Sequence, residues 1–348
     1  MARPLGLSDL SPWGARLCLR VERFLLSQCD VRARSGPLVL ALSGGCDSTA
    51  LAVVLRALSR RLGLKLLAAH LDHGLRPESP EDAAHCAGLC EGLGIPLDSA
   101  RLDVAQLARD WRTGLEDAGR RSRYAWLEDI RRAHQAQAVL TAHQLDDLAE
   151  DALMRQVRGT GWPALAGMPA WDPSRNLLRP LLLTPRAHLE RLLRELDIAW
   201  REDPSNAGCM FLRNRVRQDV LPALVRENPD YLDAVARLWT QAREDRAYWD
   251  ALVEPLIARS RQEDGAVLLA AADLAGAPAA LRLRLYKRAV EALGPGQPLS
   301  GCLRALDAAW QARHGGKRVQ FPGGKAAQVS RNGVLFLPNP GAATLTQP

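Results

Sequence analysis

Pro37-Leu38-Val39-Leu40-Ala41-Leu42-Ser43-Gly44-Gly45-Cys46-Asp47-Ser48 runs from an apolar segment through a diglycine turn into a helix-competent stretch, Thr49 to Leu62. An uninterrupted apolar run bounded by turn residues reads as a strand covered on both faces, the kind a parallel sheet uses. Two glycines let backbone N–H groups approach an anion, Ser43 and Ser48 add hydroxyls, and the start of a helix adds partial positive charge. Asp47 would repel a bare phosphate. An acid inside this cradle makes chemical sense when a divalent cation with oxygen ligands, Mg²⁺, bridges it to a polyphosphate. The turn lacks the Gly-Lys-Ser/Thr ending of a Walker loop and the spacing of a dinucleotide fingerprint, which argues against P-loop kinases and nicotinamide enzymes. An ordinary strand-to-helix turn is the bland alternative for the hexapeptide taken by itself.

The strand–helix unit recurs on either side. Leu64 to His70 reads as a second strand with Pro80 to Leu93 as its helix, and Ala138 to Ala142 as a third strand feeding a helix from His143 onward. Before them, Leu17, Val21, Phe24 and Leu25 at helical spacing predict an amphipathic helix over Trp13 to Cys29. The fold class expected is therefore α/β, a parallel sheet with helices on both faces. Leu189, Leu192, Leu193 and Leu196 line one side of a helix over Arg186 to Leu196. A catalytic domain is expected over residues 1–218 and a mainly helical region over 219–348, with helices at Pro229 to Glu263, Ala279 to Leu293 and Pro298 to His314, the last capped by Ser300. Short strands around Pro322-Gly323-Gly324 complete it, and the last ten residues read as a frayed tail.

Of the 348 residues, 47% are hydrophobic, and 46 Lys and Arg against 39 Asp and Glu leave +7. That excludes a disordered tail or a disulfide miniature and is compatible with a polyanionic partner. Lysine occurs only at Lys65, Lys287, Lys317 and Lys325, so the basic groups are overwhelmingly guanidiniums suited to bidentate phosphate contacts, a bias that genome composition also produces. Seven scattered cysteines include no CxxC pair and read as reduced thiols. No run approaches a membrane span, and Asp9, Arg16, Arg20 and Glu22 interrupt the first residues; the expectation is a cytoplasmic protein with no membrane partner.

His143, Asp146, Asp147 and Glu150 stand at i, i+3, i+4 and i+7, one arc of a helix beginning at a strand's carboxyl end, where open α/β sheets bind ligands. A solvated acidic face is the alternative. Arg213, Asn214, Arg215 and Arg217 follow a loop of small and polar residues, Pro204 to Gly208, and suit phosphate contacts or, equally, a solvated basic face. Tyr231, Trp239, Trp249 and Trp310 would stack on bases or, more simply, fill a core. Cys46, Cys86 and Cys90 default to packing.

The Ser-Gly-Gly-x-Asp-Ser loop resembles that of the N-type ATP pyrophosphatases, the PP-loop superfamily, which split ATP between its α and β phosphates. Further blocks are similar in order and spacing to the tRNA(Ile)-lysidine synthase family: His70-Leu71-Asp72-His73-Gly74-Leu75-Arg76 with Ser79; Arg120, Arg123 and Tyr124; Thr141-Ala142-His143 with Asp146, Asp147 and Glu150. So are Arg158-Gly159-Thr160-Gly161, Gly167-Met168, Arg179-Pro180-Leu181-Leu182, Asp203 with Ser205-Asn206, and Arg213-Asn214 with Arg217; together the blocks cover roughly residues 38–222.

The resemblance implies a ligase using ATP and Mg²⁺. Cytidine O2 of the CAU anticodon of tRNA(Ile) attacks the α-phosphate and expels pyrophosphate. L-lysine then attacks C2 and expels AMP, changing the tRNA from methionine to isoleucine specificity. It assigns ATP and pyrophosphate to Ser43, Gly44, Gly45, Cys46, Asp47, Ser48 and His70, the metal to Asp47, catalysis to Asp47, Arg120, Arg123, His143, Asp147 and Glu150, and tRNA to Arg213, Asn214 and Arg217, with the region over 219–348 as a further tRNA-binding part. A homodimer is left open. The chain departs from the family pattern at Gly119, Gln144, Leu148 and Asp151, which puts local contacts in doubt but not activity. A tRNA 2-thiolation enzyme, which would need a cysteine pair or cluster, and a silent RNA-binding module, which would show a damaged loop, are the rivals.

Overall fold

The computed structural model describes residues 5–29, 36–74, 79–201, 212–260, 262, 265–338. Arg76, Asp203, Ser205 and Asn206, the Pro204 to Gly208 loop and the last ten residues lie outside the described residues. The chain divides into two compact units, Met1–Thr240 and Gln241–Pro348, so residues 219–240 group with the first of them.

In the first unit, β1 (Pro37–Ala41), β2 (Lys65–Asp72), β3 (Leu97–Arg101), β4 (Ala138–Leu140), β5 (Trp171–Asp172) and β6 (Leu177–Leu178) form one sheet in the order β3-β2-β1-β4-β6-β5. All pairings are parallel except β5 with β6. The strand order reverses between β1 and β4, so the crevice beyond their carboxyl ends is the switch point where such sheets hold ligands. Alternation along β1 sorts its side chains: Leu38 and Leu40 join the core on one face, Val39 the core on the other.

The first face carries α1 (Pro12–Gln28), α2 (Cys46–Leu62), α3 (Ser79–Leu93), α6 (Leu145–Val157) and α7 (Arg186–Glu195), whose apolar residues share one cluster. α2 is buried on almost every side, which explains why its sequence shows no polar stripe. On the second face lies α5 (Leu115–Ala133), set down by Leu127, Tyr124, Trp126 and Ile130 and preceded by α4 (Val104–Trp111). After α7 the chain continues through α8 (Leu212–Arg215), a π-turn over Val216–Val220, α9 (Leu221–Glu227) and the start of α10 (Tyr231–Ser260). Trp239 of α10 is buried and its indole N–H donates to the Met168 carbonyl at 2.9 Å; it is a core residue, as is Tyr231 in part.

The second unit holds α11 (Ala271–Ala275), α12 (Ala279–Ala292), α13 (Ser300–Gln311) and an antiparallel sheet of β7 (Val267–Ala270), β8 (Arg318–Phe321), β9 (Lys325–Ser330) and β10 (Gly333–Leu337). Gly323 and Gly324 turn β8 into β9 with φ of 85° and 74°. The expected Ser300 cap is corrected: Ser300 is the first helical residue, Leu299 holds the cap position, and no side chain bonds there. Trp310 is half-buried against the apolar core, and Trp249 is half-buried with the Arg284 guanidinium over its ring at 3.8 Å, so both take part in packing. Lys325 is fully buried and donates to the carbonyls of Val290, Gly294 and Gly296 at 2.9, 2.8 and 3.1 Å, closing the carboxyl end of α12.

Candidate active site

The loop after β1 has the shape its glycines foretold. Gly44 adopts φ +80°, and a Cβ there would stand 3.2 Å from Cys86 Sγ, so only glycine fits. Gly45 has an ordinary φ of −74° and would tolerate a Cβ within the fold; its open face is left to an approaching ligand. It caps α2 without a side-chain bond, leaving the helix N-terminus to an anion. Ser48 is committed to the loop itself: its Oγ accepts from Ser43 N–H at 3.2 Å, pairs with Ser43 Oγ at 3.0 Å and donates to the Gly45 carbonyl at 3.0 Å. The exposed Ser43 hydroxyl is the accessible one. Cys46 is buried, and burial pushes its thiol up to about 12, so it packs rather than reacts.

Asp47 is the exception to this order. Its Oδ1 is buried with no hydrogen-bond partner among the described residues, while Oδ2 faces Arg186 Nη1 at 3.6 Å. Burial raises its pKa to about 6, with Arg186 opposing and Asp147 adding to the rise. An unpartnered, half-desolvated carboxylate beside an uncapped helix N-terminus fits a divalent cation shared with phosphates. No group of three or more His, Cys, Asp or Glu suited to a metal occurs among the described residues, so nucleotide and water would complete such a coordination shell.

Asp147 and Glu150 project from α6 into a charge cluster. Arg213 Nη2 bonds Asp147 Oδ1 at 2.6 Å and its Nε bonds Glu150 Oε2 at 2.8 Å. Arg217 Nη2 reaches Asp147 Oδ1 at 3.1 Å and its Nε bonds Glu150 Oε1 at 2.6 Å. Both carboxylates are buried and both guanidiniums are about one-third exposed, so each cation has a wet side. The two arginines assigned by resemblance to tRNA thus sit on the carboxylates assigned to catalysis, and Asn214 lies between them in sequence.

His143 is corrected in one respect: it precedes the helix instead of standing on its arc, because Gln144 caps α6. Its Nδ1 pairs with Thr141 Oγ1 at 2.8 Å. Burial lowers its pKa to about 4, Asp147 opposing, so the ring is neutral at physiological pH. Asp146 likewise leaves the cluster; its Oδ2 accepts from Arg186 N–H at 3.0 Å at the start of α7. Three of the departures acquire reasons. Gln144 accepts from Asp146 N–H, Leu148 is core and touches the space over Gly167, and Asp151 pairs with Arg155 at 2.7 Å.

His70 is buried, with Nδ1 donating to the Leu42 carbonyl at 3.0 Å beside Cys86 Sγ at 3.3 Å, which ties β2 to the root of the loop. Arg120 and Arg123 are exposed on α5, their guanidiniums 5.7 and 5.5 Å from the Tyr124 ring centre; Arg123 is felt electrostatically by both His73 and His143. Two residues escaped the sequence reading. Arg186 contacts Asp47 and Glu190, and Arg201 N–H donates to the Gly44 carbonyl at 2.9 Å while its side chain bonds Asp82. Neither belongs to a periodic pattern; the only available signal was a basic residue at the boundary of an element.

A PP-loop domain family matches residues 20–224. The chain is 44% identical to the tRNA(Ile)-lysidine synthase of Nitratidesulfovibrio vulgaris, covering 92% of this chain and 99% of that protein. To the enzyme of the same name from Thermus thermophilus it is 37% identical, over 88% of this chain and 57% of that longer protein. A solved U34-tRNA thiolase from Methanococcus maripaludis, with its [4Fe-4S] cluster, is 19% identical with a TM-score of 0.55, over 66% of this chain and 78% of that one, a likeness of fold alone. With this loop, this sheet and that extent of identity, the chain belongs to the tRNA(Ile)-lysidine synthase family of PP-loop proteins.

Proposed function

We propose that this protein is an ATP-dependent tRNA(Ile)-lysidine synthase, a carbon–nitrogen ligase that charges O2 of the wobble cytidine with AMP and then replaces it by the ε-amine of L-lysine. The observation that carries the reading is the uncapped, glycine-lined start of α2 with the unpartnered Asp47 oxygen, lying at the switch point within the electrostatic reach of Asp147 and Arg217. In the first half-reaction O2 attacks the α-phosphate, and the loop amides with the α2 N-terminus hold the departing pyrophosphate. Mg²⁺ bound at Asp47 would neutralise phosphate charge. Arg186, beside that carboxylate, would add a guanidinium, and Arg123, whose charge reaches His143, another from α5.

In the second half-reaction the lysine nitrogen attacks C2, AMP leaves with its oxygen, and the amine proton passes to solvent or phosphate. Asp147 and Glu150 already hold cations through both carboxylates, which supports a role in receiving the lysine ammonium by exchange with a guanidinium. His143 does not suit removal of the lysine proton: burial holds its imidazole well below the usual histidine range, so taking a proton from an ammonium near 10.4 is strongly uphill. A neutral hydrogen-bonding role is the one its environment supports. A cytoplasmic location is part of the proposal, in keeping with the absence, among the described residues, of any helix long and apolar enough to cross a membrane. The test is incubation with ATP, labelled lysine and an unmodified tRNA(Ile) transcript carrying a wobble cytidine, followed by nucleoside analysis. Labelled lysidine with stoichiometric AMP is expected; AMP formation indifferent to lysine, or none, overturns the reading.

A further inference from the structure

We infer that the groove between α5 and the β5–β6 turn is a track for the phosphodiester backbone of the RNA, with Arg175 as its outer contact. The inference rests on the proposed function and assigns it a surface. The groove encloses about 590 Å³ and is lined by Arg120, Arg121, Tyr124, Arg132, Ser174 and Arg175 among others. Two carboxylates also line it, and both are engaged: Asp117 accepts from the Thr113 hydroxyl at 2.9 Å, and Glu128 accepts from Arg131 and Arg132 at 2.7 and 2.8 Å.

Three guanidiniums gather on one ring instead. Arg120, Arg123 and Arg175 stand 5.7, 5.5 and 5.7 Å from the Tyr124 centre, and none has a carboxylate within ion-pair distance among the described residues. Cation–π attraction holds the fan in place while its members repel one another, an arrangement a polyanion relieves. Arg175 is presented by a fixed turn. Its N–H donates to the Asp172 carbonyl at 3.3 Å, Ser174 Oγ bonds Asp172 Oδ1 at 2.6 Å, and the carbonyl of the next residue, Asn176, accepts from Val139 N–H at 2.8 Å. Arg123, on the same ring though outside the groove's lining, adds to the burial that lowers the pKa of His73 and His143, which joins the fan to the candidate active site.

The experiment measures equilibrium binding of the full-length chain to an unmodified tRNA(Ile) transcript across a KCl series, with ATP binding and steady-state lysidine formation alongside, for Arg175→Ala, Arg175→Glu and Arg175→Lys. Arg175 is exposed on a surface turn, with its guanidinium over the half-buried Tyr124 ring, so the variants are expected to retain the fold. Loss of one phosphate contact is expected to weaken tRNA binding roughly 3- to 10-fold and to reduce the slope of log K against log salt by about 0.7–0.9. Arg175→Glu weakens it further, Arg175→Lys restores the slope, and KM for tRNA rises while kcat and ATP affinity hold. Wild-type tRNA affinity and slope in Arg175→Glu overturn the track alone. Weakened ATP binding with unchanged tRNA binding reassigns the groove to the free nucleotide and also overturns it. A wild-type chain that neither binds nor modifies the transcript takes the proposed function down with it.

Discussion

Asp47 gains little from the folded chain: one of its oxygens is unpartnered, and its guanidinium neighbour stands 3.6 Å away. Its pKa of about 6 against an ordinary 3.8 means the folded protein holds this proton more tightly than the unfolded chain does. Stability therefore falls as pH rises from about 4 through 6 and stays lower above that, by on the order of 2–3 kcal/mol for this group. Asp47→Asn is expected to raise the thermal midpoint of the ligand-free protein at pH 7.5, to have little effect near pH 4, and to abolish AMP formation. Calorimetry showing a lower midpoint at pH 7.5 counts against the desolvation account. Mg²⁺ with ATP raises the midpoint of the wild type and leaves that of the variant nearly unmoved. This residue was legible in the sequence because an acid between glycines and a helix start is chemically odd; Arg186 and Arg201 were not, because a lone arginine at an element boundary is common.

At the scale of elements, the clasp of α6 with the segment Leu212–Val220 joins groups more than sixty positions apart, and no local pattern announces it. The spacing of Asp147 and Glu150 placed both on one helix face; which cations would meet them is long-range information. Glu150 is buried with both oxygens on guanidiniums, so Glu150→Gln is expected to cost about 2 kcal/mol of stability in urea unfolding, moderated because both arginines reach water. It also raises KM for lysine more than KM for ATP; an unchanged lysine KM removes the ammonium-receiving role. β1, β2, α2 and α7 were read from apolar runs and periodicity. β3 was missed because its residues are half-exposed at the sheet edge, and β5 and β6 because two-residue strands carry no period. His143 fell off the helix because Gln144, a residue that departs from the family pattern, supplies the cap.

Taken whole, the molecule keeps its candidate chemistry in Met1–Thr240, while Gln241–Pro348 has an apolar core of its own. Within that second unit Arg282 ties α12 to Asp307 of α13 at 2.6 Å, and Lys325 closes the end of α12 from β9. An assignment of tRNA contacts to residues 219–348 remains our proposal, and deletion of 241–348 is expected to weaken tRNA binding while pyrophosphate-loop ATP binding persists, as equilibrium titration of both ligands would record. Loss of ATP binding would mean that the first unit does not stand alone.

Lys325 has a practical consequence. Of the four lysines, Lys65, Lys287 and Lys317 face water, while the ammonium of Lys325 is sequestered by three carbonyls and its pKa is depressed by burial. An acylating reagent should mark the first three within minutes and reach the fourth only when strand and helix part company. Peptide mass spectrometry at that single amine would then clock the breathing of the carboxyl-terminal unit by itself.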